Sequence, residues 1–170
     1  SSFAAFVSHN YNAKVDIHDY ITKAEKVVEN VRKKYGWMFE VKHLDNLGRP
    51  QVGFNGTPLM GTINYFVWSD AHICPNCSEE FVFWDVAVDA EHGKVISPFK
   101  CPHCGASLKK NDCKHSFSMQ FDPYLGRAVS IAKKVPVQVN YTYGGKRYER
   151  RPTQDDIELL ERIANTQVDS

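Results

Sequence analysis

Apolar positions in the first forty residues follow the spacing of an α-helix. Between Asp16 and Tyr35 they recur at helical intervals, and lysine and glutamate fill the opposite face. Gly36 follows directly, which is typical of a helix end. A shorter apolar run, Phe3 to Val7, predicts a preceding helix. The apolar stripe of the longer helix consists of Ile17, Tyr20, Ile21, Ala24, Val27, Val28, Val31 and Tyr35.

The pattern then changes from helical to extended. Glycines and prolines cluster between residues 45 and 62, which predicts a loop or an irregular arm. Strand-forming residues dominate Ile63–Trp68, Phe81–Trp84 and Val135–Tyr141. The pair Gly144-Gly145 predicts a tight turn into a strand that returns through Arg147-Tyr148-Glu149.

A second helical pattern closes the chain. Thr153 can cap a helix, and the side chain of its third residue, Asp156, can accept the backbone N–H of Thr153 in return. An apolar stripe follows at Ile157, Leu159, Leu160 and Ile163. These elements predict an α+β fold with an antiparallel sheet, N-terminal helices and a C-terminal helix.

Composition limits the class of protein. The chain has 170 residues, of which 42% are hydrophobic, so it can bury a real core. A net charge of +1 provides no global field that would draw it to nucleic acid. No apolar stretch is long enough to span a bilayer and no signal peptide is present, so we expect no membrane association and a cytoplasmic location.

Four of the five cysteines occur in two Cys-x-x-Cys turns, Cys74 with Cys77 and Cys101 with Cys104. Such turns bring two sulfurs to one ion, and two turns complete a tetrahedral zinc site. The sequence therefore predicts a zinc ribbon. Buried or disulfide-bonded cysteines are the alternative, but the odd number of cysteines disfavours a disulfide framework. Three other candidate ligands near the turns are placed outside the site: His72, His103 and Cys113.

Four cysteines close the coordination of zinc, whereas a catalytic zinc keeps a position open. The predicted ion is therefore structural, and a self-sufficient metalloenzyme is the weakest hypothesis. The sequence contains no phosphate-binding loop, dinucleotide fingerprint, His-Glu-x-x-His pair or nucleophile elbow. Asp85 and Asp89 are interpreted as a solvated strand face, since charged side chains are mostly exposed.

Basic and aromatic residues gather late in the chain. Cations attract a phosphate backbone and tyrosines can stack on bases. The alternative is a solubilising hairpin face with its tyrosines packed inward. The candidate nucleic-acid-binding residues are Lys133, Lys134, Tyr143, Lys146, Arg147, Arg150 and Arg151.

Several segments together resemble the prokaryotic DNA methylases that methylate an exocyclic amine, adenine N6 or cytosine N4, and carry a zinc-ribbon insertion. The resemblance covers most of the chain. Besides the two cysteine turns, it lies in Ser2–Phe6 with Asn10–Asn12, Gly36–Glu40, Ile63–Asp70, Phe83–Asp89, Val135–Val137 with Asn140-Tyr141, and Gly145–Arg147.

Such enzymes bind S-adenosylmethionine and transfer its methyl group to a base flipped out of the duplex. Neither their Phe-x-Gly-x-Gly cofactor turn nor their Asp/Ser/Asn-Pro-Pro-aromatic tetrapeptide occurs here. The resemblance therefore implies an internal fragment that is inactive alone. S-adenosylmethionine would bind only to the parent enzyme.

Four regions are expected on this basis. Residues 1–44 would be a helical segment at the edge of the parent methylase domain, and 45–62 an arm. Residues 63–122 would form the zinc ribbon, and 123–170 a β-hairpin with the C-terminal helix. The leading hypothesis is that the region helps the parent enzyme bind DNA. The alternative is a docking module that contacts the remaining methylase domain, or another protein, without touching DNA.

Overall fold

The computed structural model describes residues 1–89, 92–122 and 124–167. Pro123, where the last predicted region begins, and residues 168–170, where it ends, lie outside them. The chain separates into two compact units, Ser1–Glu40 and a larger one that begins at Val41.

The first unit is helical. Helix α1 spans Ser2–Asn12 and helix α2 spans Ile17–Tyr35, with Asp16 capping α2 by accepting the backbone N–H of Asp19. Both predicted helices are confirmed, and α1 is longer than its apolar run. Helix α2 ends at Tyr35 with Gly36 as its C-cap, as predicted. The φ of −56° at Gly36 is right-handed, and the chain continues through a 3₁₀ turn, Gly36–Phe39.

The larger unit is built around an antiparallel sheet. Strand β1 is Glu40–Lys42, the long β2 is Met60–Ile73, β11 is Lys134–Tyr143 and β12 is Lys146–Arg150, in the order β1-β2-β11-β12. Residues between β1 and β2 form an arm with isolated bridges, as the glycines and prolines predict. Gly61 allows the close packing of this sheet, because a Cβ there would lie 2.5 Å from Cδ2 of the buried Tyr141.

Two predictions near the end of the chain are confirmed, the turn between β11 and β12 and the last helix. Gly144 and Gly145 both have positive φ, 55° and 77°, as a primed two-residue turn requires. Helix α4 spans Gln154–Ala164, and Thr153 and Asp156 form the predicted capping box. A core of Val41, Val139 and Tyr141 lies on this part of the sheet.

Short elements surround the cysteines. They are β3 (Glu80–Val82), α3 (Phe83–Ala87), β4 (Val88–Asp89), β5 (Lys94–Val95), β6 (Phe99–Lys100), β7 (Ser107–Leu108) and β8 (Lys114–His115). Strands β3 and β8 both pair with the end of β2. The predicted strand Phe81–Trp84 is only partly correct, because Phe83 and Trp84 begin a helical turn. Ser69 Oγ accepts the N–H of Trp84 at 3.0 Å at this turn.

A two-stranded ribbon, β9 (Phe117–Asp122) with β10 (Arg127–Ala132), branches from the larger unit. No sequence pattern predicts β10. The predicted α+β class is confirmed, with an antiparallel sheet, N-terminal helices, a C-terminal helix and four adjacent cysteines that fit a zinc-ribbon-like site. Among the described residues, no helix has both the length and the apolar character that crossing a membrane demands.

Candidate metal centre

The four predicted cysteine ligands converge on one point. The Sγ atoms of Cys74, Cys77, Cys101 and Cys104 all lie within 4.8 Å of one another. Cys74 Sγ lies 3.8 Å from Cys104 Sγ, and Cys77 Sγ lies 3.8 Å from Cys101 Sγ. Zn–S bonds of about 2.3 Å in a tetrahedron place neighbouring sulfurs about 3.8 Å apart. These four residues can hold a metal ion, and their spacing is consistent with structural zinc.

The two cysteine turns share one backbone conformation. In each turn the residue after the second cysteine donates its N–H to the carbonyl of the first cysteine, Ser78 to Cys74 and Gly105 to Cys101, both at 2.9 Å. Both residues have positive φ, 62° at Ser78 and 72° at Gly105. Glycine adopts this conformation freely, whereas Ser78 adopts it at a cost that the surrounding turn must offset.

Each turn is also closed at its entry. The N–H of Cys74 donates to the carbonyl of Glu79 at 3.0 Å, and that of Cys101 donates to the carbonyl of Ala106 at 2.9 Å. The backbone therefore loops around each pair of sulfurs and returns in an extended direction. This local geometry explains why the spacing of the cysteines alone predicts the site.

Hydrogen bonds to sulfur favour ionisation of part of the cluster. The side-chain amide of Asn76 donates to Cys104 Sγ at 3.4 Å. This bond, with the N–H of Ala106, lowers the pKa of Cys104 to about 6. Burial opposes ionisation of Cys74, but the backbone N–H groups of Cys77 and Asn76 outweigh it and lower the pKa of Cys74.

The closeness of the four cysteines opposes ionisation of further thiols in the same cluster. The N–H of Glu79 favours the thiolate of Cys77, yet burial and the neighbouring cysteines together raise the pKa of Cys77 to about 12. Four sulfurs this close cannot all ionise without a compensating cation, because like charges repel at short range. The cluster thus combines thiolates with a need for positive charge, which is the chemistry of a metal site.

The cysteines belong to a small core. Cys74 and Cys101 are buried together with Phe81, Phe83, Ala87, Phe99 and Leu108. The ring of Phe99 contacts those of Phe81 and Phe83. Because four sulfurs leave no open coordination position, a metal here would be structural.

The other candidate ligands take different roles. Cys113 packs beside the core, donates its thiol to the carbonyl of Lys109 and is not part of the sulfur cluster. Burial raises the pKa of Cys113. His72 is buried, and its ring lies 4.6 Å from that of His115. His103 donates Nε2–H to the carbonyl of Glu80.

The candidate nucleic-acid-binding residues divide into two groups. Four are engaged within the protein: Lys133 pairs with Glu80, Arg150 with Asp156 and Arg151 with Asp85, while Tyr143 stacks on His43. Three are exposed and, among the described residues, form no ion pair: Lys134, Lys146 and Arg147. The last two lie directly after the turn between β11 and β12.

The two aspartates interpreted as a strand face lie in different settings. Asp85 lies in α3 rather than on a strand, and its carboxylate pairs with Arg151. Asp89 lies in β4, where it pairs with His92.

Comparison with protein-family models, with curated proteins and with solved structures finds no match for this chain.

Proposed function

We propose that this chain binds one zinc ion through Cys74, Cys77, Cys101 and Cys104, and that the ion is structural. The convergence of four Sγ atoms at the spacing of a tetrahedral thiolate site carries the proposal. Thiolate sets of this kind suit zinc, and iron is the main competitor for four sulfurs.

Metal analysis tests this directly. The chain, purified without added chelator, is expected to contain one equivalent of zinc by elemental analysis, because a closed four-thiolate site holds a single ion. Less than about half an equivalent would contradict the proposal, since a structural site is occupied in the folded protein. Iron in place of zinc would also contradict it, and visible absorption would reveal iron bound to cysteine.

The zinc region serves, in this proposal, a DNA methylase that modifies an exocyclic amine. The sequence resemblance along most of the chain supports this assignment. S-adenosylmethionine and the catalytic residues belong to the remaining part of the parent enzyme, because both signature motifs are absent from these residues. The chain itself is expected to be inactive.

Direct DNA contact is assigned to the end of the β11–β12 hairpin. Lys146 and Arg147 project there without an internal ion pair among the described residues, and Lys134 is exposed at the other end of β11. Unpaired cations keep their attraction for phosphate, whereas Arg150 is already committed to Asp156. Lys146 and Arg147 are therefore the first residues to test.

Duplex DNA binding, measured by fluorescence anisotropy, is expected to depend on salt and on these two side chains. With two phosphate contacts, affinity should fall about tenfold between 50 and 200 mM salt. The double variant Lys146→Ala/Arg147→Ala should lose most of the binding. The matched control, Lys14→Ala/Lys26→Ala, removes the same charge from the N-terminal unit and should bind as the unmodified chain does. DNA affinity that does not depend on salt concentration, or an equal loss of affinity in both variants, would contradict the assignment.

Docking without DNA contact is the second candidate function, and the N-terminal unit favours it. Helix α2 has no buried residue, and its apolar stripe is exposed, with Ile17 at 72% and Val27 at 61%. A soluble domain rarely leaves so continuous an apolar stripe without a partner. The remaining methylase domain is the proposed partner. A zinc-loaded chain with no measurable DNA affinity would favour this candidate over the first.

A further inference from the structure

The β9–β10 ribbon leaves the sheet beside Ala71 of β2, between β8 and β11, which pair with β2 on either side of that residue. The N–H of Ala71 donates to the carbonyl of Lys133 at 3.0 Å, and the carbonyl of Ala71 accepts the N–H of Ser116 at 2.8 Å. Ser116 precedes β9 and Lys133 follows β10, and the N–H of Lys133 donates to the carbonyl of Ser116 at 2.8 Å. The ribbon therefore begins and ends at one point of the sheet.

Beyond that point the ribbon has little support of its own. Its large apolar side chains are exposed, with Phe117 at 61%, Met119 at 69% and Phe121 at 64%. Among the described residues, β9 and β10 pair with each other and with no further strand. An isolated two-stranded hairpin is only marginally stable in water. Contacts at the base therefore decide how the ribbon is held.

Glu80 makes these contacts with both ends of the base. One carboxylate oxygen of Glu80 accepts the hydroxyl of Ser116 at 2.5 Å, and the other accepts the ammonium of Lys133 at 2.6 Å. These two bonds, that from Lys133 foremost, lower the pKa of Glu80. Hydrogen bonds to an ionised carboxylate are stronger than neutral ones. One side chain thus bonds the two residues that flank the ribbon.

The same residue is tied to both cysteine turns. Glu80 follows Cys77 by three positions and begins β3. Its carbonyl accepts Nε2–H of His103, which lies between Cys101 and Cys104, at 3.0 Å. The preceding carbonyl, that of Glu79, accepts the N–H of Cys74. The backbone at Glu80 is therefore positioned by the segments that carry all four sulfurs.

We propose that Glu80 couples the metal centre to the β9–β10 ribbon. Metal binding fixes both cysteine turns, the turns position Glu80, and its carboxylate holds the base of the ribbon. Loss of the metal releases the ribbon first, while the β11–β12 hairpin keeps its own cross-strand pairing. Glu80 is a positioning residue: through it, the bound metal holds the exposed apolar ribbon in place. The inference rests on the proposed zinc site and gives that site a second role, holding the base of the ribbon.

Hydrogen exchange of the zinc-loaded full chain tests the coupling. Glu80→Ala is expected to accelerate exchange of the Phe117–Ala132 amides about tenfold, because it removes both hydrogen bonds at the base of the ribbon and both are partly exposed to water. Amides of β11 and β12 should exchange as before, and one equivalent of zinc should remain bound. Glu79→Ala is the matched control, because it removes the neighbouring exposed carboxylate and should leave the ribbon unchanged.

A chelator supplies the second arm of the experiment. Removing zinc from the unmodified chain should accelerate hydrogen exchange of the ribbon amides as Glu80→Ala does. Removing zinc from the Glu80→Ala chain should accelerate their exchange little further. Glu80→Gln should restore part of the protection, since its amide oxygen can still accept from Lys133. Equal ribbon exchange in the Glu80→Ala and Glu79→Ala chains, both with zinc bound, would overturn the coupling alone. A chain without zinc would overturn the proposed function as well.

Discussion

Replacing Cys77 with serine is expected to lower the free energy of unfolding of the larger unit by more than about 4 kcal/mol, the range produced by loss of a metal site. Zinc content should fall below about half an equivalent, since three thiolates and a hydroxyl no longer form the closed set. Around the sulfurs, the core contains few residues besides three phenylalanines, Ala87 and Leu108. The free energy of metal binding must therefore supply much of its stability. Urea unfolding followed by circular dichroism, with zinc analysis of the same samples, measures both effects.

Cys113→Ser is the matched control for this substitution. Cys113 packs against the same core but lies outside the sulfur cluster. The change should leave zinc bound and cost about 1 kcal/mol, the order of burying an additional hydroxyl. If the two serine variants lost zinc and stability equally, the four-cysteine assignment would be wrong and a site that includes Cys113 would replace it.

Features that depend on a few adjacent residues could be predicted from the sequence. The cysteine turns, the Gly144-Gly145 turn and the capping box of Thr153 with Asp156 all form through contacts within about five positions. Helix α2 belongs with them, because its apolar spacing extends along its whole length. In each case the local chemistry and the fold favour the same conformation.

Features that depend on distant partners could not be predicted. The β9–β10 ribbon leaves the sheet where Ser116 and Lys133 both bond to Ala71, far earlier in the chain, and no local signal marks that position. Phe83 is as good a strand former as Phe81. It begins a helical turn instead, where its ring packs edge-on against Phe99 in the core. Tertiary packing here overrides local propensity.

The roles of the late basic residues show the same limit. Arg150 and Arg151 are adjacent in the sequence and chemically identical, yet their environments differ. The side chain of Arg150 is 13% exposed and bonds Asp156, whereas that of Arg151 is 67% exposed and pairs with Asp85. Only the partners brought by the fold distinguish a structural cation from a surface one, so composition alone cannot rank these residues as DNA contacts.

Replacing Asp156 with alanine is expected to be the most destabilising change away from the metal. Its carboxylate accepts two hydrogen bonds from the guanidinium of Arg150, and one of its oxygens also accepts the N–H and the hydroxyl of Thr153. Asp156 is 2% exposed, so its removal leaves the charge of Arg150 buried over the ring of Tyr141 without a counter-ion. Loss of one partner of a buried pair costs about 3–5 kcal/mol.

The adjacent residue offers a matched control that separates burial from charge. Asp155 also forms an ion pair, with Lys42, but its side chain is 51% exposed and that of Lys42 is 35% exposed. Asp155→Ala should therefore cost less than about 1 kcal/mol, the usual value for a surface pair. Urea unfolding of the zinc-loaded variants measures the difference. Similar losses in both would mean that water reaches Arg150 when Asp156 is removed. In that case the contacts of Asp156 would not hold the junction between β12 and α4 rigid.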